Sequence, residues 1–104
     1  MAHLEFNPQT HTYIRHFEGK LTSALCTDLA TAVAADIAAV LAEDPNAKMA
    51  FDLAQVDYVV SAYLRICLLS AKQLPKGNFS IINCRPEVKK IFCIARFDNL
   101  FDIT

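Results

Sequence analysis

Apolar residues along this chain follow two periods, and the switches between them mark the elements. Leu4 and Phe6 alternate with His3 and Glu5, Asn7-Pro8-Gln9-Thr10 supplies turn chemistry, and a second β-like run spans Thr12 to Phe17, which predicts an opening hairpin. Gly19 ends that run, and Thr22 or Ser23 can cap the element that follows. From Ala24 to Ala42 the spacing turns helical: Leu25, Leu29, Val33, Ile37, Val40 and Leu41 recur mainly at threes and fours, with Asp28, Thr31 and Asp36 at other positions. Glu43-Asp44-Pro45-Asn46 stops this helix, because proline has no N–H for the ladder and turns the preceding residue away from the helical region.

Lys48 to Leu53 reads as a strand, followed by a short connector and a helix from about Ala62 to Gln73 in which Tyr63, Leu64, Cys67 and Leu68 start an apolar stripe. Leu74-Pro75-Lys76-Gly77-Asn78 breaks it, and Phe79 to Cys84 forms another apolar run, so two strands joined through a helix make a right-handed βαβ unit. Pro86 suits the first turn of a last helix with Val88, Ile91, Phe92 and Ala95 on one face, and Asp98 to Ile103 is a short terminal strand or turn. The order β-β-α-β-α-β-α with an added last strand predicts an α/β fold: one domain, residues 1–104, with a mixed four- to five-stranded sheet packed against amphipathic helices.

Composition narrows the class. A hydrophobic content of 54% with only two glycines argues for a folded globule, and ten Lys and Arg against eleven Asp and Glu give no overall reason to expect nucleic acid or an anionic membrane. Arg85, Lys89, Lys90 and Arg96 cluster in sequence, but Glu87 dilutes them and they read as the wet side of a helix. The most membrane-like stretch, Ala24 to Ala42, carries Asp28 and Asp36 and reads as a soluble amphipathic helix, and Met1 to Pro8 has neither the basic nor the apolar region of a secretory signal. A cytoplasmic protein with reduced, mostly buried thiols is the expectation.

Cys26, Cys67, Cys84 and Cys93 show no C-x-x-C pair or zinc spacing, so no metal or other cofactor is expected. His3, His11 and His16 of the first hairpin are expected as half-exposed sheet residues. No catalytic constellation stands out. A small thiol enzyme using Cys67 or Cys84 is the rival from another class, and a carrier with an apolar cavity between sheet and helices is a third reading.

The chemistry concentrates at residues 51–65. There an apolar run containing Phe51, Leu53, Val56 and Val59 feeds the start of a helix, whose free N–H groups can face an anion or a partner's carboxylate. Ser61 is expected to act as the N-cap of that helix rather than as a phosphoacceptor, and Asp52 as a strand-end carboxylate bonded to loop amides. Tyr63 is expected at the exposed surface as a contact anchor, and Tyr58 inside.

Several of these segments, in this order, resemble the STAS domain of bacterial anti-sigma factor antagonists. Phe17-Glu18-Gly19-Lys20-Leu21 resembles the family's strand end with its glycine, and Asp52-Leu53-Ala54-Gln55-Val56 its Asp-Leu-Ser-Gly-Val. Val59-Val60-Ser61-Ala62-Tyr63-Leu64 stands where the family has an apolar residue and then Asp-Ser-Ser/Thr-Gly-Leu. Asn83 with Pro86, Val88 and Phe92 resembles Asn-x-x-Pro-x-Val-x-x-x-Leu/Phe, and Phe97-Asp98-Asn99-Leu100-Phe101 resembles Leu-x-x-Leu-Phe.

The resemblance implies a non-enzymatic regulatory module that binds a protein partner, most directly an anti-sigma factor of the kinase type. It also implies partner-binding residues at Val60, Ser61, Ala62, Tyr63 and Thr22. The family's phosphoacceptor position falls on Ala62, which has no hydroxyl, while Val60, Tyr63 and Thr22 replace an aspartate, a glycine and a second aspartate. Ser61, one residue earlier, is the remaining hydroxyl for a phosphate. An accessory subunit of a transporter ATPase or of a larger signalling assembly is the alternative within the same fold.

Overall fold

A computed structural model describes residues 4–104, so His3 lies outside the described residues. Strands β1 (Leu4–Asn7) and β2 (Thr12–Leu21) form the hairpin, and helix α1 (Ser23–Glu43) leads to β3 (Lys48–Val59). Helix α2 (Ser61–Gln73), β4 (Phe79–Ile82), α3 (Pro86–Ile94), a 3-10 turn (Phe97–Asn99) and β5 (Asp102–Ile103) complete the chain. Thr22 is the N-cap of α1, with its hydroxyl oxygen accepting the Leu25 N–H, and α1 ends just before Pro45, as the spacing predicts.

One five-stranded sheet holds the strands in chain order, β1 antiparallel to β2 and every later neighbour parallel. Parallel strands laid down in sequence by crossovers of one hand must carry their helices to the same side, so α1, α2 and α3 share one face of the sheet. That face holds the core. Phe17 of β2, Phe51 of β3, Phe79 of β4 and Phe101 stack across the strands with ring centroids 4.9, 4.7 and 4.8 Å apart, and Tyr63 of α2 meets Phe17 edge-on at 5.3 Å. By strand alternation the opposite face carries Ile14, His16, Ala50, Asp52, Ser80 and Ile82, and no helix of the described residues covers it.

One departure from the sequence reading bears on function. β3 does not stop at Leu53; it continues through the expected connector to Val59, because β2 also runs on and pairs with it, Glu18 with Gln55, Gly19 with Val56, Lys20 with Tyr58 and Leu21 with Val59. Register shifts before Glu18 and between Gly19 and Lys20 absorb the mismatch, and Gly19, at φ +77°, takes the backbone conformation that the second shift needs. The expected terminal segment does form a strand, β5, parallel to β4.

Helix α1 is long and apolar enough to cross a membrane by length and composition alone. Its Cys26, Val33, Ile37 and Val40 are nonetheless buried in the single core, and Asp36, expected on a polar side, lies buried against Arg15 of β2 with Nε 2.9 Å from Oδ2. A helix stitched to the sheet by a buried ion pair is a core helix of this domain.

Candidate functional site

Because Leu21 pairs with Val59, the next residues, Thr22 and Val60, lie side by side at the carboxyl ends of adjacent parallel strands, and each is the N-cap of the helix that follows. Carboxyl ends of parallel strands are where α/β sheets bind their ligands. The rim so formed collects Lys20, Thr22 and Leu25 from one crossover and Tyr58, Val60, Ser61 and Ala62 from the next. Tyr58 is 50% exposed and Leu25 42%, Ser61 and Thr22 are exposed, and Val60 and Ala62 are half-buried.

Ser61 does not cap α2. Since β3 pairs as far as Val59, only Val60 remains as the half-in residue, and valine offers no side-chain acceptor, so Ser61 becomes the first helical residue. The carbonyl of Val60 accepts from the N–H groups of Tyr63 and Leu64 at 2.9 and 3.3 Å. The N–H groups of Ser61 and Ala62 precede any intrahelical acceptor and face outward, and no acidic side chain stands in that first turn.

The two tyrosines occupy the reverse of their expected places. Tyr63 is fully buried, on the stripe it shares with Ile66, Cys67 and Ser70, and stacks on Phe17, so it is no contact residue. Its hydroxyl has no nitrogen or oxygen partner among the described residues; burial, with the Cys67 thiol beside it, pushes its pKa well above that of an ordinary tyrosine. Tyr58 instead points out, because the added length of β3 and its register shift turn that position to solvent.

Behind the rim, Asp52 is a mid-strand anchor rather than a strand end. Its Oδ1 accepts the Ala54 N–H at 2.9 Å, its Oδ2 accepts Asn83 Nδ2 at 3.1 Å, and His16 Nδ1 stands 3.6 Å from Oδ2. Asn83 holds φ +54°, a conformation asparagine tolerates well, which lets its side chain reach back. Arg85 then braces the tip of β3: its Nε donates to the Ala54 carbonyl at 3.2 Å and its Nη1 to Asp57 Oδ1 at 2.5 Å. Leu25, Asp57 and the role of Arg85 at this site are not reached from the sequence, which places Tyr58 inside; the four apolar or β-favouring residues among positions 56–60 are the signal that the strand continues.

The thiol reading finds no support. Cys67 and Cys84 are buried, Cys67 carrying a pKa well above its ordinary value through desolvation and Cys84 one pushed up to about 11, so neither offers a thiolate near neutral pH. Cys93 is exposed. Among the described residues no group of three His, Cys, Asp or Glu is arranged to hold a metal ion. His11 faces Asp44 at 3.3 Å, and His16 sits half-exposed on the bare face. Lys89, Lys90 and Arg96 are exposed, and Arg85 is taken up by Asp57.

No protein-family model matches the chain. Over 58 residues it is 36% identical to BtrV of Bordetella bronchiseptica, assigned as an anti-sigma factor antagonist; the match covers 54% of this chain and spans half the length of that relative. Among solved structures it superimposes on an anti-sigma factor antagonist from Mycobacterium paratuberculosis with a TM-score of 0.77 at 21% identity, over 96% of this chain and 80% of that one. The unphosphorylated antagonist SpoIIAA gives 0.63 at 16% identity, over 88% and 80%. The fold is therefore the STAS fold of the anti-sigma factor antagonists, as the motifs implied.

Proposed function

We propose that this chain is a non-enzymatic, cytoplasmic docking module of the anti-sigma factor antagonist kind, whose partner is an anti-sigma factor of the kinase type. The carrying observation is the rim at the carboxyl ends of β2 and β3, where two helix starts lie side by side and exposed Tyr58 and Leu25 stand among polar groups. Aromatic residues with a polar tip are favoured in such contacts, and the outward N–H groups of Ser61 and Ala62 suit a partner's carboxylate. In this reading Thr22, Val60, Ser61 and Ala62 take part in the contact, with Tyr58 in the place first assigned to Tyr63.

Ala62 stands where the resemblance puts the phosphoacceptor, so the module binds without phosphate control at that position. Ser61 carries the one exposed hydroxyl in the first turn of α2, Tyr63 being buried, and with its capping role gone it is the residue that bears on this reading. The test is co-elution on size exclusion with the purified kinase-type anti-sigma factor of the same organism, followed by intact mass after incubation with that protein and ATP. A stable complex and an unchanged mass are expected. Absence of a complex overturns the docking role, and one added phosphate on Ser61 overturns the loss of the switch.

A further inference from the structure

At the amino end of β4, the end of the fold opposite the rim, two grooves lie side by side. One, of about 330 Å³, is lined by Lys72, Leu74 and Lys76, and the other, of about 230 Å³, by Asp98 and Asp102. Phe79, Leu100 and Phe101 line both, so they form the ridge between a basic groove and an acidic one. Phe79 and Phe101 belong to the core, whereas Leu100 is 57% exposed. We propose that this corner is a self-association surface: a second copy of the chain docks on it across a two-fold axis along the Leu100 ridge, with Lys72 and Lys76 of each copy over Asp98 and Asp102 of the other.

The charges carry the choice of occupant. All four charged residues are exposed, and none makes an ion pair among the described residues, although Asp36, Asp44 and Asp57 elsewhere do. Lys72 also suits the last turn of α2, where a cation faces the helix carbonyls, but Lys76 lies beyond that helix and has no such use. A surface that is positive on one side of an apolar crest and negative on the other is complementary to itself, because a two-fold rotation about the crest exchanges the two sides. A small anion would use only the basic groove and a basic peptide only the acidic one. A second copy uses both, and it covers Leu100 with its own counterpart. The corner is small, so the dimer is weak and depends on charge as much as on apolar area. Helix α2 runs from Ser61 at the rim to Gln73 near this corner, so dimerisation leaves both rims free.

Sedimentation velocity on the full chain tests this, in about 0.02 M salt, where exposed charges are little screened. Between about 10 and 500 µM the wild type should shift from monomer towards dimer. Lys72→Glu with Lys76→Glu, and Asp98→Lys with Asp102→Lys, should each stay monomeric. An equimolar mixture of these two variants should form dimer again, since a wholly acidic corner then faces a wholly basic one. Lys89→Glu with Lys90→Glu, on the exposed side of α3, makes the same change in net charge as the first pair and should dimerise like the wild type. Leu100→Ser leaves the charge untouched and should weaken the dimer about fivefold. Every substituted residue is exposed, so the variants fold. A wild type that stays monomeric throughout, a corner variant that dimerises at wild-type strength, a mixture that stays monomeric, or a dimer lost equally in the α3 pair overturns the proposal.

Discussion

Arg85, the residue before α3, ties back to Asp57 near the end of β3 with Nη1 2.5 Å from Oδ1, and its Nε holds the Ala54 carbonyl of the same strand. The strand tip that presents Tyr58 is therefore braced from a distant part of the chain. Both partners are substantially exposed, so Arg85→Ala should lower global stability by less than about 1 kcal/mol. Amide exchange over residues 55–59 should quicken nonetheless, while α1 stays unchanged. Arg85→Lys keeps the charge but not the two-point geometry and should fall between. Equal exchange in all three proteins would remove the brace.

The ion pair between Arg15 and Asp36 is nine-tenths or more buried on both sides, with the guanidinium also 4.9 Å from the Phe17 ring. Removing one partner leaves an uncompensated buried charge, so Asp36→Ala should cost about 3–5 kcal/mol in urea unfolding. The double change Arg15→Met with Asp36→Leu should recover most of that loss. If the single change is as mild as a surface substitution, the pair does not hold α1 to the sheet.

Tyr63 makes opposite predictions for its ring and its hydroxyl. The ring fills the space over Phe17, so Tyr63→Ala should cost about 3–5 kcal/mol. The hydroxyl is buried without an oxygen or nitrogen partner, so Tyr63→Phe should be neutral or stabilising by up to about 1 kcal/mol in the denaturation midpoint. A loss above about 1 kcal/mol for Tyr63→Phe would show that the hydroxyl makes a favourable contact with the Cys67 thiol.

These residues show what was legible in the sequence and what was not. Helix α1 and the element order follow from periodicity, which depends only on neighbours along the chain, and both appear as expected. The end of β3 and the burial of Tyr63 depend on pairing with β2, a partner more than thirty positions away in sequence: Lys20 opposite Tyr58 carries the strand past its polar Gln55 and Asp57 and turns Tyr58 outward. Asp36 reads as a solvent residue until Arg15, on another element, is placed against it. At the site, the helix start was found where expected, whereas its capping residue and its exposed aromatic were each displaced.

Thiol reactivity follows from burial. Alkylation of the folded protein at neutral pH should modify Cys93 alone, with Cys26, Cys67 and Cys84 reacting only after unfolding. Cys84 ionises at about 11 in the fold against an ordinary value of 9.0, so between these limits the unfolded chain has lost a proton that the folded one keeps, and stability should fall as pH rises from about 9. The fall should be shallower in Cys84→Ala. Fast modification of Cys67 or Cys84 in the folded state would restore the thiol reading.

The central claim is that the rim at Tyr58 is the docking surface. Calorimetric titration of the kinase-type anti-sigma factor into the wild type, Tyr58→Glu and Ile94→Glu tests it most directly, since Ile94 is 74% exposed near the end of α3 and serves as an apolar control outside the rim. All three should melt within a few degrees of one another, because neither residue is buried. Tyr58→Glu should weaken binding at least about tenfold, as expected for a contact anchor, and Ile94→Glu should leave it unchanged. Undiminished binding by Tyr58→Glu, or loss of binding in Ile94→Glu alone, would contradict the account.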